Sequence, residues 1–379
     1  MSRLAIAPGT RFEAPAATFA PAPAERRGLA RDGVRLLVAR SGTGPADVAT
    51  IEHTVFRELP QYLSPGDLVV VNNSATVAGE LDADGPLGPV VLHLATPLDV
   101  DRRNGEGVWV VEVRTAPDAA RAVLDAEPGT RYRLSSDVTV TLVQGYPHPG
   151  SSPTGTGNRL WRARVDGSAS GGLTVLLRRR GRPIGYGYLE ARYPLEDYQS
   201  IFALRPGSAE MPSAARPFTH HLVTSLVARG IALAPITLHT GVSSQEAGEG
   251  PQPERFRVPG PTAHAVNSTR SRGGRVIAVG TTVTRALESA VDPDGLLRPS
   301  RGWTERVITP QQPPLVVDGL ITGWHDPQAS HLLLVEAVAG AALTQTAYDA
   351  ATSAGYAWHE FGDSALLLPH RDRADALGN

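Results

Sequence analysis

The chain has 379 residues, enough for two domains that each bury a core, with 41% hydrophobic and 20% charged residues and a formal charge of -2. That near-neutral balance gives no overall electrostatic footprint for nucleic acid. No cysteine is present and all 36 basic residues are arginine, which excludes disulfides, thiolate nucleophiles, zinc–thiolate sites, Schiff-base lysines and P-loop lysines.

Residues 14–25 are rich in Ala and Pro and are expected to form a loose extended arm. A strand is predicted at 34–39. Residues 54–63 carry apolar side chains at helical spacing, closed by Pro65 and Gly66. Residues 67–72 form a short apolar strand that ends in the polar turn Asn72-Asn73-Ser74. From about 79 to 185 the character changes. Residues 90–94, 107–113, 138–143 and 160–165 are short strands separated by Gly, Pro and Asp turns, with one short helix predicted at about 117–125. Such spacing implies a small all-β unit, barrel or sandwich. Residues 145–158 are expected to be a mobile loop. Arg178, Arg179, Arg180 and Arg182 are the densest basic cluster, either a local patch or a solvated loop after a strand.

After Tyr188 helices and strands alternate. A helix is predicted at 218–229, with Thr219 as N-cap and Gly230 at its end. A strand at 236–239, a loop at 241–254 and a helix at 262–272 follow. Next, Val276 to Val279 read as a buried strand, Gly280 breaks it, and Thr281 and Thr282 open a helix with Arg285 and Glu288 three residues apart on one face. A helix start of this kind aims several N–H groups and a positive dipole end at one spot, which suits a carboxylate or phosphate. The same pattern also serves an ordinary capped core helix. Helices at 330–342 and 344–354 and a strand at 365–368 close the chain.

The simplest architecture is α/β: a main α/β domain built from both ends of the chain, 1–78 and 186–379, with an inserted barrel-like all-β domain at 79–185. No G-x-G-x-x-G follows a strand, and neither H-E-x-x-H, G-x-S-x-G nor a carboxylate cluster with metal-like spacing occurs. No metal is expected. No apolar run approaches the roughly 18–20 residues that span a bilayer, and the first residues lack the basic-then-apolar order of a secretory signal. A cytoplasmic location with no membrane partner is the expectation.

Seven stretches together resemble one family. They are Ser64-Pro-Gly-Asp-Leu-Val-Val-Val-Asn72, Asp197-Tyr-Gln-Ser-Ile-Phe-Ala203, Gly207-Ser-Ala-Glu-Met-Pro-Ser213, Ile236-Thr-Leu-His-Thr-Gly241, Val279-Gly-Thr-Thr-Val-Thr-Arg-Ala-Leu-Glu-Ser289, Asp318-Gly-Leu-Ile-Thr-Gly-Trp-His325 and Phe361-Gly-Asp363. In this order they resemble the S-adenosylmethionine:tRNA ribosyltransferase-isomerase (QueA) family of queuosine biosynthesis, over nearly the whole chain. The resemblance implies an α/β domain with an inserted β-barrel. It also implies S-adenosylmethionine as a co-substrate that gives its ribosyl part to a 7-aminomethyl-7-deazaguanine base in tRNA, with release of adenine and methionine. That chemistry needs a base near C5′, a proton donor for adenine and an anion site for the methionine carboxylate. Histidine suits the proton transfers near neutral pH. By the resemblance, His239, His325 and Asp363 are the catalytic candidates. Gly280, Thr281, Thr282, Arg285, Glu288 and Ser208 are the candidates for holding S-adenosylmethionine. The bland alternatives are structural histidines, a turn cap at Asp363 and an ordinary helix ion pair.

The chain also departs from the family pattern. The family's N-D-T-R reads Asn72-Asn73-Ser74-Ala75, its P-A-R reads Ala78-Gly79-Glu80, and its A-P-T-A-G-L-H-F-T reads Met211-Pro-Ser-Ala-Ala-Arg-Pro-Phe-Thr219. Its H-x-M-H-S-E is eroded to Pro251-Gln-Pro-Glu254, and its T-N-F-H-L-P reads Thr322-Gly-Trp-His-Asp-Pro327. Lost arginines weaken a grip on a phosphate backbone. Two other readings therefore stand beside tRNA modification: a paralogue that uses or cleaves S-adenosylmethionine with a small-molecule acceptor, and a catalytically dead nucleoside- or RNA-binding protein.

Overall fold

The computed structural model describes residues 6–14, 18–42, 49–100, 103, 105–149, 157–167, 172–242, 249–327 and 329–370. Its first strands are β1 (Arg35–Arg40), β2 (Thr50–Val55), β3 (Leu68–Asn72) and β4 (Ser74–Thr76). Then come β5 (Glu80–Gly85), β6 (Gly88–Val100), β7 (Gly107–Thr115), β8 (Arg131–Arg133), β9 (Val138–Gly145) and β10 (Leu160–Gly167). Helix α1 (Gly172–Arg180) and β11 (Arg205–Ser208) lead to α2 (His220–Ala228), β12 (Ala232–His239), β13 (Glu254–Val258) and α3 (Gly260–Ser271). The rest is β14 (Val276–Val279), α4 (Thr281–Glu288), β15 (Ser300–Thr304), β16 (Gly319–Gly323), α5 (Ser330–Ala339), α6 (Ala341–Ser353) and β17 (Ser364–Leu368).

Nine strands make one sheet in the order β15-β13-β12-β3-β14-β16-β17-β1-β2. Its centre, β12-β3-β14-β16, is parallel; at one end β12, β13 and β15 pair antiparallel, and at the other β1 and β2 form an antiparallel hairpin. The central strands are apolar throughout because both faces are covered. Leu68, Val70, Val276 and Ala278 face α3 to α6, where Val266, Val283, Leu287, Leu332, Val335 and Leu343 pack. Val69, Val71, Ile277 and Val279 face the other layer, with Phe56, Leu59, Phe218, Leu222 and Leu226. Each such side chain contributes about 1.5–3 kcal/mol on burial. The strands β10-β7-β6-β5-β8-β9 close a separate barrel around Leu92, Val111, Val113, Val140 and Trp161. The α/β architecture with an inserted β-barrel expected from the sequence is thus present.

Several local expectations differ from the structure. Instead of a loose arm, residues 18–25 lie against the main domain: Ala20, Ala22 and Ala24 are buried and Phe19 bridges to Trp358. Residues 15–17 of that stretch lie outside the described residues, as do 150–156 and 243–248 of the two long loops. Residues 54–63 are not an α-helix; pairing of Val55 with Arg35 draws the first of them into a strand, and a 3-10 turn with Pro60 inside follows. No helix forms at 117–125, where the Arg114 guanidinium takes the carbonyls of Ala119 and Ala120 that a helix would use. Arg178, Arg179 and Arg180 are exposed in the last turn of α1 and not in a loop. Arg182 is tied to Glu80 and Asp82. The two last helices meet at Gly340, whose φ of +82° suits glycine.

Candidate active site

A cavity opens at the carboxyl ends of the parallel strands, where open α/β sheets place their ligands. Each wall follows from a strand end. Thr240 to Val242 follow β12, Gly280 to Thr282 follow β14, Thr322 and Gly323 end β16, and His325 lies just beyond it. Glu210 to Ala214, His331 at the start of α5, and the pair His359 and Glu360 before β17 complete the ring.

The β14–α4 turn carries the sequence's glycine for a steric reason. Gly280 has φ +91°, and a Cβ there would meet Ala214 Cβ at 3.3 Å. Its N–H donates to the Ile321 carbonyl at 2.7 Å, fixing the turn, and Thr281 and Thr282 then present the start of α4 to the cavity. Arg285 also lines the cavity, yet its guanidinium is committed: it pairs with Glu254 and donates to the carbonyls of Gln252 (2.9 Å) and Thr304 (3.3 Å). Burial pushes Arg285 down and Glu254 up from their ordinary values, each opposed by the partner's charge. Glu288 does not pair with Arg285. It is fully buried away from the cavity and accepts from the N–H groups of Leu315 (2.8 Å), Val316 (2.9 Å) and Val317 (3.2 Å).

His325 stacks on His331 with ring centroids 5.0 Å apart and planes 11° apart, and its Nε2 lies 3.0 Å from Thr322 Oγ1. Burial, then the neighbouring imidazoles, holds His325 well below the ordinary histidine value. Burial, then Arg285 and His359, pushes His331 down to about 4. Both rings are therefore neutral at pH 7, and each neutral imidazole carries one nitrogen lone pair that can accept a proton. His359 is held at φ +65°, sits between Phe19 and Tyr188, and meets Asp326 at 3.0 Å. Burial raises the carboxyl pKa of Glu360, a shift opposed by His359 and a hydrogen bond with Ser213. Its occluded Oε2 has no hydrogen-bond partner among the described residues.

The remaining sequence candidates lie elsewhere. His239 is on the other face of β12 and does not line the cavity; its Nδ1 is 2.7 Å from Ser74 Oγ. Ser74 Oγ is 2.6 Å from Ser208 Oγ, which accepts from the Thr240 N–H at 3.1 Å, so Ser208 is a buried link beneath the wall. Asp363 closes the two ends of the chain on each other, accepting from Arg35 N (2.8 Å), Arg35 Nε (2.9 Å) and Ala357 N (2.8 Å). Conversely, Glu210, Glu254, His331, His359 and Glu360 line the cavity although the sequence reading does not pick them as site residues. Glu210 lies inside one of the seven family-like stretches and His359-Glu360 immediately precedes another; those positions are the available signals.

Comparison with known proteins supplies the family. Residues 9–367 match the family model described as queuosine biosynthesis protein. The S-adenosylmethionine:tRNA ribosyltransferase-isomerase of Symbiobacterium thermophilum is 34% identical over 369 residues, spanning 94% of this chain and 98% of that protein. That of Thermus thermophilus is 35% identical over 345 residues, spanning 89% and 93%. A solved structure of S-adenosylmethionine tRNA ribosyltransferase from Thermotoga maritima is 25% identical and aligns over 94% of this chain and 99% of that one, with a TM-score of 0.48. Matched from residue 9 to residue 367, with relatives aligned along nearly their full length, the chain belongs to the queuosine biosynthesis family of S-adenosylmethionine:tRNA ribosyltransferase-isomerases.

Proposed function

We infer that the protein moves the ribosyl part of S-adenosylmethionine to a 7-aminomethyl-7-deazaguanine base in tRNA and isomerises it, releasing adenine and methionine. Beyond family membership, the observation that carries this reading is a single cavity lined by two kinds of group. The start of α4, with Thr281 and Thr282, suits a carboxylate such as that of the methionine portion. Neutral His325 and His331 and the carboxyl of Glu360, one of whose oxygens is unpartnered among the described residues, line the same cavity and suit proton transfer. In this assignment His325 takes the C5′ proton that a neighbouring sulfonium acidifies, and Glu360, kept protonated longer by burial, gives a proton to the departing adenine. Arg285 shapes the wall. Glu288, Ser208, His239 and Asp363 hold the surrounding elements in place. Among the described residues no helix is long and apolar enough to cross a membrane.

The test is incubation with S-adenosylmethionine, with and without tRNA bearing the aminomethyl-deazaguanine, following adenine and methionine by chromatography. Release that requires the tRNA is the expected result. Release without it means cleavage or another acceptor, and no release in either case refutes the reading.

A further inference from the structure

The antiparallel edge β12-β13-β15 carries a feature that neither the core nor the cavity uses. Its register places Arg255 opposite Trp303 and Arg257 opposite Arg301, so these four side chains share one face. The other face holds Phe256 and Val258, which are core residues. Arg255, Arg257, Arg301 and Trp303 are all exposed, and Trp303 keeps 38% of its surface. Among the described residues no carboxylate pairs with any of the three guanidiniums, and Arg255 leans over the Trp303 ring at 6.0 Å. Several partly or fully buried arginines elsewhere are matched to acids, as at Arg114, Arg159, Arg182, Arg216 and Arg275.

Two like charges directly opposed across strands destabilise a sheet. Arg257 and Arg301 stand in that relation with a third guanidinium two residues away, so the arrangement has no folding rationale and suits a polyanion. The face extends inward to β12, where His239 stands opposite Arg255 and Thr237 opposite Arg257. Thr237 donates to Asn73 Oδ1, and the Asn73 carbonyl accepts from Leu204 and Arg205, both exposed. The same strands meet the cavity from their opposite face: Glu254, the residue before Arg255, lines it, and the carbonyl of Thr304, the residue after Trp303, holds Arg285.

We propose that this face is the RNA-docking surface of the enzyme. It takes a single-stranded loop of the acceptor, with phosphates on Arg255, Arg257 and Arg301 and one unstacked base against Trp303. Phosphate-tracking arginines interleaved with an aromatic platform are what single-stranded recognition requires. The proposal rests on tRNA being the acceptor, and it locates the binding away from the Arg178–Arg180 cluster.

The experiment is fluorescence anisotropy of the full-length protein with a labelled anticodon stem-loop RNA carrying the aminomethyl-deazaguanine, titrated with NaCl. R255Q/R257Q/R301Q should bind about tenfold or more weakly. Its slope of log affinity against log salt should fall by about 2, since each phosphate of a single strand that is no longer neutralised removes roughly 0.7. Trp303→Ala should weaken binding about tenfold with the slope unchanged, because stacking releases no counterions. S-adenosylmethionine affinity should stay at the wild-type value in both. Wild-type RNA binding by the triple variant, or weakened binding confined to R178Q/R179Q/R180Q, overturns this surface while leaving the acceptor reading intact. Failure of the wild-type protein to bind the RNA overturns both.

Discussion

Arg285 is the cation that the sequence pattern favours as a ligand for the substrate, and its environment predicts a different behaviour on substitution. The side chain is only 7% exposed, pairs with Glu254 and gives further hydrogen bonds to the carbonyls of Gln252 and Thr304. Desolvation dominates both partners, lowering Arg285 and raising Glu254, so taking the pair out of water outweighs their attraction. Arg285→Met leaves a carboxylate buried and unpaired and should destabilise the fold by about 3–5 kcal/mol. Glu254→Gln leaves Arg285 its carbonyls and should lose about 1–3 kcal/mol. The double change to apolar residues should return to within about 1 kcal/mol of wild type, because no unpaired charge remains. The sign with pH is also fixed. A carboxyl raised above its ordinary value near 4.5 favours folding below that value, and the benefit is lost as pH rises through the folded value. Glu254→Gln should remove that component. Urea unfolding of the three variants, with S-adenosylmethionine affinity measured in parallel, is the assay. Arg285→Met with wild-type stability but no affinity would refute the argument and restore Arg285 as a direct ligand.

Other consequences follow from the same chemistry. His325 and His331 are neutral well below pH 6.5, so the acid limb of turnover should lie below the ordinary histidine value, and His325→Asn should abolish adenine release while leaving S-adenosylmethionine affinity in place. Glu288→Ala orphans three N–H groups, two of them buried, and should destabilise by about 2–3 kcal/mol or more in denaturant titration, with Glu288→Gln milder. In the barrel, burial opposes ionisation of Glu80, but hydrogen bonds from His93, Arg192 and the Gly185 N–H hold its carboxyl down to about 2. That stabilisation is complete above the ordinary value of 4.5 and is lost as pH falls from there through about 2. Acid unfolding followed by tryptophan fluorescence should therefore flatten in Glu80→Gln.

The β14–α4 turn is legible in the sequence because a buried strand, a forced glycine and two hydroxyl residues leave few alternatives over a dozen positions. The barrel is legible because short apolar strands separated by Gly, Pro and Asp turns recur at regular spacing through β6, β7, β9 and β10. Sequence spacing fails where the chain returns from a distance. His331 and His359 reach the cavity from opposite ends of the α5–α6 pair, and no local spacing links either to Glu254 or Gly280. Spacing also cannot say which neighbours an α4 side chain meets. Arg285 and Glu288 stand three residues apart as an ion pair would, but one turns to β13 and β15 and the other to residues 315–317. Strand alternation gives His239 a definite face without showing which face borders the cavity.

The polar core of the barrel and the cavity wall form one hydrogen-bonded line. His93 lies 3.1 Å from Glu112, Glu112 accepts from Arg159 at 3.0 Å, and Arg159 reaches across to Glu249 in the main domain at 2.7 Å. Glu249 accepts from Gln252 at 3.1 Å, and the Gln252 carbonyl takes Arg285. The wall segment carrying Gln252 and Glu254 is therefore pinned from the barrel side by a buried ion pair. Arg159→Met removes that pin without touching the cavity. Glu112 keeps His93 and Arg114, whereas Glu249 loses its charged partner from the barrel. Removing one partner of a buried pair is worth about 3–5 kcal/mol, and the strain falls on the segment that shapes the cavity. The expected outcome is weaker S-adenosylmethionine binding by calorimetry, together with loss of stability, from a substitution in the barrel. Wild-type affinity in a destabilised Arg159→Met would show that the barrel is fixed to the main domain without setting the shape of its site.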